Sequence, residues 1–106
     1  MPKFLIEANY TSEGAKGLAK DKGSGRRAAI EKAVASVGGQ LEAVYFALGG
    51  ADIYVLADCP DYISAAALSY GVCASGMVHT KTVTLLTVEE IDQALNKQVA
   101  YKAPGS

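Results

Sequence analysis

Tryptophan is absent from this chain, histidine occurs once, and cysteine, methionine and phenylalanine occur twice each. Cys59 and Cys73 lack CxxC spacing, and His79 is the single histidine available to help them, so no zinc or redox site is expected. Their usage agrees with a reducing compartment. Cys73 reads as a small buried hydrophobe on a helix, and Cys59 as part of the turn before it. Charge of one sign is also missing: the net charge is -1 and acidic and basic residues are interspersed. That balance offers no basic face to nucleic acid and no polybasic run to an anionic membrane. No apolar stretch approaches the ~18 residues of a membrane helix, and Met1-Pro2-Lys3-Phe4 lacks a charged region followed by an apolar one. A cytoplasmic location is the expectation. Nucleophile elbow, carboxylate pair and metal cluster are all wanting, so neither cofactor nor metal is implied.

Half of the 106 residues are apolar and one-fifth are charged, which suits one globular domain over 1–106 with residues 97–106 as an extended tail. At Lys3–Tyr10 the residues Phe4, Ile6, Ala8 and Tyr10 alternate with Lys3, Leu5, Glu7 and Asn9, the period of a half-buried strand. Thr11-Ser12-Glu13 signals a helix start, but Gly14, Gly17, Gly23 and Gly25 predict only a short helical turn and a loop. From Arg26 to Val37, apolar residues at 30, 33, 34 and 37 predict the main helix, stopped by Gly38-Gly39. Gln40–Leu48 and Asp52–Asp58 read as strands joined by a glycine hairpin, with Leu41 and Tyr45 on one face of the first and Val44, Phe46 and Leu48 on the other. Alanine-rich Asp61–Ala74 predicts a helix buried on most sides, and Met77–Leu86 a fourth strand. Thr87-Val88-Glu89-Glu90 is a capping box for a short final helix. This βαββαβ order predicts an α+β ferredoxin-like fold: a four-stranded antiparallel sheet with helices on one face.

Three stretches resemble the GYD domain family: Leu41 to Tyr54, Gly25 to Lys32, and Lys81 to Glu90. The departure lies at the signature, where the family shows glycine, a variable residue, tyrosine and aspartate and this chain has Gly49, Gly50, Ala51 and Asp52. The resemblance implies a dimeric α+β barrel, in which two half-barrel sheets face each other, and no particular reaction. The residues give a separate reason for a homodimer, possibly of higher order: helices cover one sheet face, leaving Leu5, Leu56 and part of the second strand apolar on the other.

To place polar groups we take strands one and three as parallel neighbours and strand four as antiparallel to strand one. Ile53, Val55 and Ala57 then face the helices, and Asp52, Tyr54 and Leu56 join Lys3, Leu5, Glu7 and Asn9 on the open face. His79 comes to the same end as Glu7 and Asn9, where a carboxylate beside an imidazole suits proton transfer. The commoner role of such a residue is an exposed or hydrogen-bonded strand histidine. Tyr54 reads as a ligand donor or an interface aromatic, and Asp52 as a ligand contact or a turn residue. Gly23-Ser24-Gly25-Arg26-Arg27 reads as an anion site or as a Ser24 cap followed by solvated arginines. Three functions follow: a homodimer that binds a small organic or anionic molecule between sheet and helices; a cofactor-free proton-transfer enzyme using His79 and Glu7 with Tyr54 as donor; or an oligomerisation module.

Overall fold

The computed structural model describes residues 1–106. Strand β1 (Lys3–Tyr10) leads through helix α1 (Ser12–Ser36) to β2 (Gln40–Phe46) and β3 (Ile53–Asp58). Helix α2 (Tyr62–Cys73), β4 (Val78–Leu85) and α3 (Val88–Leu95) follow. The sheet order is β2-β3-β1-β4 and every neighbouring pair is antiparallel. The α+β ferredoxin-like expectation holds, but β1 and β3 are antiparallel rather than parallel. The reason is topological: the α1 crossover returns β2 in the direction of β1, and the hairpin then reverses β3 between them.

Phe4, Ile6 and Ala8 of β1 and Ile53, Val55 and Ala57 of β3 point inward and meet Val34 of α1 and Leu68 of α2 in one buried core. The alternation on β1 and β3 follows the sequence pattern. On β2 it does not, because the register slips between Leu41 and Ala43, inserting Glu42 as a bulge. Leu41 and Val44 therefore both pack on the core. Phe46 pairs with inward-facing Ile53 and lies beside Gly23 of α1, while Tyr45 pairs with Tyr54 on the open face. The sequence grouping of Leu41 with Tyr45 is thus corrected by one extra residue.

Helix α1 is longer than the glycines suggest, since Gly14 and Gly17 lie inside it. The Thr11 hydroxyl accepts the Gly14 N–H at 3.1 Å and donates to the Gly76 carbonyl at 3.0 Å, capping the helix and tying it to the turn before β4. A single residue, Lys22 at φ 64° and ψ 174°, breaks the helix into two segments. Ser24 is not the cap; the chain is already helical there. Helix α2 starts at Asp61, whose carboxylate accepts the Ser64 N–H at 2.7 Å. Contrary to the expected deep burial, only Ala65 and Leu68 of α2 are buried, and Tyr62, Ile63 and Tyr70 are exposed. Helix α3 has both capping-box bonds, Glu90 N–H to Thr87 at 3.1 Å and Thr87 N–H to Glu90 at 2.8 Å. None of its residues is buried, in a molecule 57 Å long and only 32 Å by 22 Å across.

Candidate functional site

A cavity of about 80 Å³ lies between the sheet and the two long helices. Twelve of its fifteen lining residues are hydrophobic, including Ile6, Ile30, Val55 and Leu68. Its polar groups are Arg26, Ser69, Thr80 and the phenol of Tyr10. The Arg26 Nε is sealed from water and has no hydrogen-bond partner. Leaving such a donor unmade costs about 1–3 kcal/mol, so an acceptor at this position would be bound with that advantage. Arg26 also lines an outer hollow of about 320 Å³ that shares Tyr10, Val72 and Val78 with the cavity. The guanidinium therefore stands at the junction of a wet hollow and an apolar interior. Glu13 and Asp21 line that hollow as well. Deeper in, the Ser69 and Thr80 hydroxyls are 2.7 Å apart and the Cys73 sulfur is 3.2 Å from Thr80.

Arg26 and Arg27 do not form the paired anion site. Both lie in the second segment of α1; Arg26 turns toward the cavity and Arg27 is exposed. The reason is helical geometry, since adjacent residues on a helix diverge by about 100° and do not share a face. The break at Lys22 sets where that segment starts and hence which arginine points inward.

On the open face of the sheet, Glu7, Asn9, Tyr54 and His79 come together with Lys81, Gly50 and Ala51 around a shallow cleft of about 220 Å³. The ladder explains this: Asn9 stands opposite His79, and Glu7 lies between Tyr54 and Lys81. The register thus decides the face of His79, which its neighbours Met77 and Lys81 left open. Glu7 and His79 are diagonal rather than directly paired, and no hydrogen bond or ion pair joins them. Ala51, at the place where the GYD signature has tyrosine, is among the cleft residues. Asp52 has a structural task, accepting the Tyr10 N–H at 2.9 Å and so fastening the end of β1 to the start of β3.

The far end of the open face carries Lys3 between Asp58 at 3.0 Å and Glu42 at 3.1 Å. The hydrogen bond to Asp58, helped by the one to Glu42, raises the pKa of the ammonium. Glu42 reaches Lys3 because it is the bulged residue. Cys59, not Cys73, is the fully buried thiol, and burial followed by the charges of Asp58 and Asp61 raises its pKa, which makes it unreactive. Cys73 is half-buried. No cluster of side chains is suited to a metal ion, and no helix is long and apolar enough to cross a membrane.

Sequence reasoning missed Tyr10, Ser69 and Thr80 as site residues. Tyr10 was readable, since it shares the parity of Phe4, Ile6 and Ala8; Ser69 and Thr80 become neighbours only when α2 packs on β4. No curated protein and no solved structure matches the chain. A family model, the GYD domain, matches residues 4–95, which takes in every strand and all three helices. The chain belongs to the GYD domain family.

Proposed function

We propose that this protein binds a small organic acid in the cavity between sheet and helices, as one half of a homodimer whose second copy covers the open sheet face. The observation that carries the binding reading is the unpartnered Nε of Arg26 at the wall of a mostly apolar cavity. A short apolar body fits the interior, and a carboxylate head satisfies the guanidinium with a charge-assisted bond. The dimer reading is supported by Leu5, Leu56, Val83 and Leu85, which the register gathers on the face that no helix covers. A two-fold axis lets that face cover itself, with about 800 Å² per partner making an ordinary stable interface.

The test is a thermal-shift series of short aliphatic and small aromatic carboxylates against their amides at matched ionic strength. At least one acid should raise the melting temperature where its amide does not, and Arg26→Gln should remove the difference. Equal responses from acids and amides, or an unchanged preference in the variant, would overturn the binding reading. The dimer is tested separately by sedimentation of the unmodified chain and of Leu56→Asp; a folded monomer of the unmodified chain at micromolar concentration counts against it.

The convergence of Glu7, Tyr54 and His79 in the open-face cleft favours a second reading, cofactor-free proton transfer on a small carbon acid. Deuterium uptake from heavy water into small keto acids, lost in His79→Gln, is its signature, and absence of uptake removes it.

A further inference from the structure

The cavity that Arg26 lines has a second polar feature, and it is short of acceptors. Ser69 of α2 and Thr80 of β4 line the cavity with their hydroxyls 2.7 Å apart, while the Cys73 sulfur, 3.2 Å from the Thr80 oxygen, does not line it. Each of these groups has one proton to donate, and two contacts join the three. Whichever way the two bonds run, at least one proton finds no acceptor within the trio. Sulfur is a weak donor and a weak acceptor, so an oxygen arriving from the cavity draws its bond from a hydroxyl, with the Cys73 thiol donating to Thr80 behind it. The spare donor then faces the cavity.

The fold also places this hydroxyl pair relative to Arg26. Tyr10, Arg26, Val72 and Val78 line both the cavity and the outer hollow, and so mark the end where the two meet. Ser69 lies one turn before Val72 on α2, and Thr80 two residues beyond Val78 on β4, steps of roughly 5 Å and roughly 7 Å. The 2.7 Å contact means that both steps end at the same place. The cavity thus has a guanidinium at one level and a hydroxyl donor one layer further in, with apolar lining between them.

We infer, resting on the acid-binding reading, that the ligand class is a short oxo acid whose carbonyl lies three bonds from its carboxyl carbon, a span of about 5 Å between the two polar ends. The carboxylate meets the Arg26 Nε, the methylenes lie against the apolar lining, and the carbonyl oxygen accepts from the Ser69–Thr80 pair. A carbonyl suits this layer because what the trio has to spare is a proton. A saturated acid of the same length leaves that proton unmet, and a site built to bond a polar group discriminates against the analogue that lacks it. Ser69 also borders the hollow between α2 and β4, so water reaching it from that side is the competing acceptor. The test separates the two.

Calorimetric titration of the full chain compares 4-oxopentanoate with pentanoate, which differ by a carbonyl in place of one methylene. The oxo acid should bind roughly two- to tenfold more tightly. In Ser69→Ala with Thr80→Val the order should invert, because the carbonyl is then desolvated without a donor, while pentanoate binds as before. Thr80→Ser keeps a hydroxyl and should keep the preference. Ser69→Ala alone and Thr80→Val alone should each shrink it, which gives a reading even if the double variant does not fold. Equal affinities in the unmodified chain, as when water already serves the hydroxyls, or a preference that survives loss of both hydroxyls, would overturn the inference. In either case pentanoate binding that Arg26→Gln abolishes leaves the acid-binding reading standing, whereas binding of neither acid overturns both.

Discussion

A methyl group at Gly14 would run into the Met77 carbonyl and lie 3.2 Å from the Tyr10 ring, because α1 begins against the turn that leads into β4. Gly14→Ala should therefore cost roughly 1–3 kcal/mol in urea unfolding. Gly17, one turn later, faces nothing within 4 Å, so Gly17→Ala should stabilise by about 0.5–1 kcal/mol. Lys22 occupies a backbone region that is essentially reserved for glycine, and Lys22→Gly should gain about 1 kcal/mol by the same measurement. Asp61 gives a pH-dependent test. The backbone N–H of Ser64 lowers its pKa, so the cap's stabilisation is present above the ordinary carboxylate pKa and is lost as pH falls through the depressed one. Asp61→Ala should melt earlier than the parent at neutral pH, and the two melting curves should converge in strong acid.

At the scale of elements, the period-2 pattern of β1 and β3 made both faces legible, and Thr87 with Glu90 announced α3 in the sequence itself. The β2 bulge was not legible, since nothing in Leu41-Glu42-Ala43 distinguishes a bulged residue from a paired one until β3 supplies the register. Its effect is open to measurement: Leu41→Asp should unfold the protein or destabilise it by several kcal/mol, because Leu41 packs on the core, whereas Tyr45→Asp should leave a folded chain with altered association. The candidate site divides the same way. Glu7, Asn9 and Tyr54 were placed together by strand parity, while the inward turn of Arg26 depends on a helix break at Lys22 that the glycines on either side located only loosely. Helix α2 misled because alanine suits buried and exposed surfaces alike, and an apolar helix here leaves half of itself in solvent.

For the whole molecule, the proposed open-face pairing is isologous and closes as a dimer about one two-fold axis. Sedimentation should give an assembly near twice the 11.0 kDa chain, falling to the mass of one chain in Leu56→Asp. The sheet order has a further bearing, on synthesis. Strand β1 is made before both of its neighbours: Phe4 pairs with Ala57 and with Thr84. At roughly 5–20 residues per second, Phe4, Ile6 and Ala8 travel for several seconds without the strands that enclose them. The nascent chain thus carries the apolar face of β1 uncovered until β3 and β4 have been made, which makes that segment a natural point for a chaperone to hold.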